Sequence, residues 1–184
     1  GLKGACACSG SLMHESYITT VRFNNKTFRE NRVWRETVAN APAAIYATPK
    51  MMTPRVPLHA LVYVIEMNNE TNQIMGIGLI KNQSPECNKY VIHSDEKYNL
   101  FSYHGVYRID RADFTTEELD VIKVLEKMCF CGRRHQKRLQ GIKAFPYDML
   151  FDYKANTEKD LVVLVADMFK TRFLPKDHVP VSEG

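Results

Sequence analysis

Residues 61–81, LVYVIEMNNETNQIMGIGLIK, decide the fold class. Residues 61–67 (LVYVIEM) are apolar and rich in β-branched side chains, 68–72 (NNETN) are wholly polar, and 74–81 (IMGIGLIK) are apolar again. Two apolar runs of strand length around a short polar turn predict a hairpin. Gly76 and Gly78 lie two residues apart in the second run, so they share one face of the sheet. Missing side chains there permit close approach of a neighbouring backbone or a flat ligand, or a bulge that curls the sheet. Glu66 sets one carboxylate beside a predicted core, and no partner histidine or second carboxylate is indicated for it.

Upstream, residues 17–23 (YITTVRF) predict a strand ended by Asn24 and Asn25. Residues 28–38 (FRENRVWRETV) interleave charged and apolar side chains at near-helical spacing, and Pro42 stops a helix there from passing Ala41. Pro49, Pro54 and Pro57 make the next stretch an ordered loop. Downstream, residues 89–93 (KYVIH) and 100–109 (LFSYHGVYRI) predict further strands, with a bend at Gly105. Short, closely spaced strands with glycine bends predict a small, curved, mainly antiparallel β-sheet or a barrel. The period then changes. Thr115 to Glu118 reads as an N-cap with an acidic first turn, Leu119, Ile122, Leu125, Met128 and Cys129 recur at helical spacing, and Gly132 supplies the stop. Thr157 and Asp160 open a second apolar segment, residues 161–173, expected to be a core helix. The fold class is therefore α+β, a curved sheet or barrel with packed helices.

At 184 residues and 45% hydrophobic content, the chain suits one domain. The expected division is a flexible segment at 1–15, a single domain at 16–174 and a tail at 175–184. No stretch approaches the roughly 20 uninterrupted apolar residues that span a bilayer, so no membrane role is expected. The opening residues lack the apolar core of a secretory signal. An intracellular setting, cytoplasm or nucleus, or a place in a virion, follows as the expectation.

Residues 127–147 contain no acid and carry +6, against +4 for the whole chain. The basicity is thus one patch, and such a patch calls for a polyanion. Its candidate binding residues are Arg133, Arg134, His135, Lys137, Arg138 and Lys143, with Arg suited to phosphate by its bidentate fork. Aromatic side chains are the second ingredient of nucleic-acid binding, and Trp34 and Tyr46 are the first candidates to stack a base. A solvated face of ordinary positive charges is the plainer alternative. The five cysteines are expected to be thiols, not bridges, although Cys6/Cys8 and Cys129/Cys131 form two Cys-x-Cys pairs and His135 follows the second. No cofactor is expected, small buried residues being the reading preferred for these cysteines; zinc is the alternative those residue types would take. The six histidines are scattered, and neither a phosphate loop, a Gly-x-Ser-x-Gly elbow nor a His-Glu-x-x-His motif is present, so nothing supports an enzyme.

The order helix, proline-rich loop, LVYVIEM, tight turn and IMGIGLIK resembles the PUA-like superfamily, within it the EVE, ASCH and YTH group, over roughly residues 33–109. That resemblance implies a curved five- or six-stranded barrel that binds RNA or DNA, sometimes by taking a modified base into an aromatic-lined pocket. Trp34 and Tyr46 stand about where such a pocket would lie, while the basic patch belongs to this chain and not to the family pattern. YVIEMNNETNQIMGIGLIKN, YRIDR and the string from His135 to Ile142 also look similar to uncharacterised proteins of large nucleocytoplasmic DNA viruses, which implies no activity. The leading expectation is a non-enzymatic domain that binds RNA or DNA. The alternative is a structural or assembly protein of a virion or ribonucleoprotein, docking through its patch or its terminal segments onto a protein partner.

Overall fold

The computed structural model describes residues 15–174. The segments at 1–14 and 175–184, with Cys6 and Cys8, lie outside the described residues. The chain is α+β, as expected, and its two sheets are not closed into a barrel.

Strand β1 (Ser16–Phe23) leads into helix α1 (Asn25–Thr37), which Asn24 starts by a capping box with Thr27. β2 (Ala44–Thr48) follows, and then β3 (Leu61–Asn68) and β4 (Gln73–Lys81) form the expected hairpin. β3 also pairs with β1, in parallel, over its whole length. Parallel neighbours need a long connection, and residues 24–60, with α1 and β2, supply it. The two-residue strand β5 (Glu86–Cys87), β6 (Phe101–Gly105) and β7 (Tyr107–Asp110) complete the middle of the chain. The first sheet runs β7-β4-β3-β1 and ends on a two-residue strand, β8 (Lys143–Ala144); the second runs β2-β6-β5.

Gly105 marks more than a bend. The predicted strand 100–109 divides there, β6 joining the second sheet and β7 the first. A Cβ on Gly105 would lie 2.0 Å from the carbonyl oxygen of Leu79, so only glycine lets the two sheets meet this closely. Residues 89–93 form no strand. Instead Asn99 Oδ1 accepts from the backbone N–H groups of Ile92 and His93, holding that segment as an ordered loop.

Helices α2 (Thr116–Phe130) and α4 (Leu161–Phe173) cover one face of the first sheet, where Tyr63, Ile65, Met67, Ile77 and Ile109 meet Ile122, Leu125, Val165 and Phe169. The other face packs Val62, Val64, Val21 and Ile80 against Ala44, Tyr46, Tyr103 and Phe28 of the second sheet and α1. β3 is consequently buried on both sides, which explains its unbroken apolar run. Helix α3 (Tyr147–Thr157) buries none of its residues and carries two exposed aromatics, so it lacks the one-sided pattern by which helices are read from sequence. No described helix is long and apolar enough to cross a membrane.

Candidate nucleic-acid interface

Gly76 and Gly78 make room for side chains from elsewhere in the fold. Added Cβ atoms would come within 2.6 Å of the Arg108 guanidinium and 2.0 Å of the Tyr46 hydroxyl. Both groups reach across those glycines to Glu66: Tyr46 Oη donates at 2.8 Å, and Arg108 donates through Nε at 2.9 Å and Nη2 at 2.7 Å. Arg108 Nη1 also donates to Asp110 at 2.8 Å. Burial pushes the Tyr46 hydroxyl well above the usual tyrosine value, with Glu66 adding to it, so Tyr46 stays a donor. Desolvation alone would lower the Arg108 pKa, but the Glu66 carboxylate outweighs it and the net shift is upward. Arg35 approaches from α1, where its Nε donates to Asn31 and its Nη2 is buried without a partner among the described residues. The register places Glu66, Gly76 and Asp110 abreast on β3, β4 and β7, with Gly78 and Arg108 in the next row. A bulge beside Glu66 loops out Met75, and Glu126 and Arg111 satisfy the freed backbone groups of Ile74. The Arg108 and Glu66 side chains are 7% and 2% exposed, and Asp110 is the partly exposed member of this ionic centre.

A second concentration of polar groups lies where the parallel strands end. Crevices beyond the carboxyl ends of parallel strands are favoured ligand sites, because the chain departs there in different directions. Here a crevice of about 240 Å3 is lined by Arg22, Asn24, Thr27, Thr48, Asn69, His93, Tyr98 and Gln140, together with Val21, Phe23, Tyr46, Ala47, Pro49 and Gly141. Among the described residues Arg22 is its one lining Arg or Lys, and no acid lines it. Asn69 Nδ2 donates to the Lys137 carbonyl at 2.9 Å, and Arg22 Nη1 donates to the same oxygen at 3.3 Å. Those two bonds pin the basic loop across the ends of β1 and β3. Asn69 Oδ1 is left buried with no donor among the described residues.

The sequence-predicted residues divide in this setting. Arg133 and Arg138 are exposed, and neither forms an ion pair among the described residues. Arg134 Nη2 contacts both carboxylate oxygens of Asp148 at 2.6 Å, one residue beyond the acid-free window. Lys137 Nζ donates to Asn72 Oδ1 at 2.8 Å, a neutral partner that leaves its charge uncompensated. His135 Nδ1 accepts from the Lys137 N–H at 3.3 Å. Lys143 lies on β8 opposite Thr20, half-buried. Tyr46 is 1% exposed and committed to Glu66, so its ring offers no face to a base. Trp34 is half-buried, edge-on to Tyr90 with ring centroids 5.4 Å apart.

The freely exposed aromatics lie elsewhere. Tyr147 and Phe151, 77% and 57% exposed, stack on each other across one turn of α3 with centroids 6.2 Å apart. They border a groove of about 530 Å3 beside β8, with Arg55 and Lys154 also on its rim. Tyr147 and Asp148 adjoin in sequence, so the Arg134–Asp148 pair ties the basic loop to this aromatic end of α3. The signal for this pair was the i, i+4 spacing of two aromatics next to a cation-rich, acid-free stretch.

The second Cys-x-Cys pair points two ways. Cys129 is buried in the α2 core with its thiol pushed up to about 12 by burial, whereas Cys131 is exposed. Zinc binds thiolate, so a metal at this pair would have to displace the Cys129 proton. Among the described residues no three His, Cys, Asp or Glu side chains gather as a metal site, and Cys6 and Cys8 lie outside them.

Compared with protein-family models, curated proteins and solved structures, the chain shows no significant match.

Proposed function

We propose that the chain binds single-stranded RNA or DNA along the sheet edge formed by β8, the basic loop and α3. The observation that carries this reading is the stacked, solvent-exposed Tyr147–Phe151 pair at the foot of the basic loop. Cations that hold phosphates and aromatic faces that stack bases are the two parts of a single-strand platform. The crevice and the aromatic groove lie at opposite ends of β1, bordered by Arg22 and Ile18 respectively. Three residues of strand, Thr19 to Val21, lie between Ile18 and Arg22, four steps or roughly 13 Å, so a few nucleotides bridge the two. The finer expectation of base reading falls to the crevice, where Asn69 Oδ1 awaits a donor. Its volume is below the roughly 300 Å3 of the smallest drug-sized pockets, which suits a single ring system.

Fluorescence anisotropy with single- and double-stranded RNA and DNA at two salt concentrations tests this. The expected result is single-strand binding that weakens steeply with salt. Replacing Arg133 and Arg138 together by Glu is expected to cut the slope of log affinity against log salt by about 1.4 for two lost phosphate contacts. Replacing Tyr147 and Phe151 by Ala is expected to cost about 1–3 kcal/mol per stacked base at any salt. Unchanged binding in both variants refutes the assignment. A wild-type chain that shifts no oligonucleotide at low salt favours the alternative, an acidic protein partner, for which Arg134 on Asp148 is the local precedent.

A further inference from the structure

We propose that the crevice cleaves the RNA strand it receives, with His93 as the general base that takes the proton of a ribose 2′-hydroxyl. This rests on the nucleic-acid reading above and gives the same site a reaction.

His93 lines the crevice from the loop before β6, and its Nδ1 lies 2.9 Å from Glu30 Oε2 on α1. Glu30 is itself held from the other side, its Oε1 accepting from Ser94 Oγ at 2.7 Å and from the Ser94 N–H at 3.3 Å. Burial raises the Glu30 carboxyl, but the hydrogen bonds from Ser94 and His93 outweigh it, and the net shift is downward. An ionised carboxylate can only accept, so the imidazole proton sits on Nδ1 and the lone pair on Nε2. No described residue bonds Nε2. Asn99 Oδ1 fixes the backbone N–H of His93, and Tyr98 lies edge-on to the ring with centroids 6.1 Å apart. A base oriented through its second nitrogen by a carboxylate is the arrangement that general-base catalysis requires.

The surroundings favour a free base over an imidazolium. Burial pushes His93 below the usual histidine value, against the pull of Glu30 and Asp95. The charged groups around it are Glu30 from α1, with Lys26 Nζ 4.0 Å from that carboxylate, Asp95 from its own loop, and Arg22, which lines the crevice from β1.

The crevice hydroxyls are poor nucleophiles. Thr48 Oγ1 donates to the Lys50 carbonyl at 2.7 Å, and Thr27 Oγ1 lies within the Asn24 cap at 3.1 Å from Oδ1. RNA brings a nucleophile of its own, and DNA, which lacks it, serves as the control. The 2′-oxygen attacks the adjacent phosphorus as its proton passes to His93 Nε2. The bond from phosphorus to the 5′-oxygen breaks, that oxygen takes a proton from solvent water, and the imidazolium returns its proton to the hydroxide left behind. The products are a 2′,3′-cyclic phosphate and a 5′-hydroxyl end. Arg22 stands as the cation for the phosphorane charge.

Single-stranded RNA, the same sequence as DNA, and its 2′-O-methyl form are incubated with the full chain in EDTA, and product ends are read by mass spectrometry. Cleavage of RNA alone, with cyclic phosphate ends, is the expected result. His93→Gln is expected to lose about 10²–10⁴-fold in rate, with a thermal melt confirming the fold. Glu30→Gln, which keeps an acceptor oxygen, is expected to slow cleavage and move the acid limb of the pH–rate profile to lower pH, because the charge favouring imidazolium is gone. An undiminished rate in folded His93→Gln, an unshifted profile in Glu30→Gln, or equal cleavage of DNA overturns the proposal. RNA that binds in anisotropy and stays intact overturns the cleavage and leaves the binding function standing. RNA that does not bind overturns both.

Discussion

Two arginine–carboxylate pairs in this molecule are nearly the same length and differ in everything else. Arg108 meets Glu66 at 2.7 Å with side chains 7% and 2% exposed, whereas Arg134 meets Asp148 at 2.6 Å with 53% and 61% exposed. Water screens the outer pair and competes for both of its partners, so forming it gains little. The inner pair has no water to return to. Its charges are held by Tyr46, Asp110 and each other, and each depends on the rest being present. Contact geometry therefore does not rank these pairs; burial does. The inner pair joins β2, β3 and β7 through Tyr46, Glu66 and Arg108, while the outer one ties a loop to α3 and stays available for exchange.

Breaking the inner pair from one side is the largest effect expected. Arg108→Met leaves Glu66 buried without its cation, and should cost about 3–5 kcal/mol, read as a lower urea midpoint at unchanged m-value. Removing both charges, as Glu66→Leu with Arg108→Met, should recover part of that loss, since a buried pair is worth less than the penalty of orphaning one member. A double variant no better than the single one would show that the centre acts through shape and not through charge. Tyr46→Phe comes next. It deletes one donor to a buried carboxylate and should cost about 1.5–3 kcal/mol, with the Arg108 contacts intact.

These variants also show how far the sequence could be read. The hairpin, α2 with its capping box and α4 were legible because their signals are local: alternation, caps and a helical period. Gly76 and Gly78 were legible as a gap and Glu66 as an oddity, yet their connection was not. It runs through Tyr46 and Arg108, residues 20 and 42 positions from Glu66. The basic loop shows the same limit from the other side. Counted along the chain it has no acid, but Asp148 folds back onto Arg134. Tyr46 was expected to stack a base because a tyrosine near a loop reads as accessible, and the sheet-to-sheet packing that buries it leaves no mark in its neighbourhood. α3, β2 and β8 were missed for want of amphipathic alternation: β2 is buried at every position and α3 at none.

An intermediate case lies between the extremes. Arg172 on α4 donates to both oxygens of Glu118 at 2.7 Å and 2.6 Å, with side chains 21% and 15% exposed. The Arg172 hydrogen bonds hold Glu118 below its usual value, outweighing desolvation. A depressed carboxyl contributes stability that is complete above the unfolded value, about 4.3, and is lost as pH falls through the folded value. Arg172→Met should therefore destabilise the chain at pH 7 and reduce the further loss on acidification below pH 4. Parallel urea titrations at pH 7 and pH 3 check this, and a variant that loses stability equally at both pH values would assign the effect to packing.

The smallest effect belongs to the outer pair, and it has opposite consequences for stability and for binding. Asp148→Asn should leave the melting midpoint where it was, because both partners are in water before and after. It should also release Arg134, whose pKa the Asp148 hydrogen bond raises, from its only ion-pair partner among the described residues. A freed guanidinium at the junction of the basic loop and the Tyr147–Phe151 platform adds one phosphate contact. Single-strand affinity at low salt should rise, and the salt slope should steepen by about 0.7. If affinity falls instead, Arg134 works by bracing the loop against α3 and not by holding phosphate, and the outer pair would resemble the inner one after all.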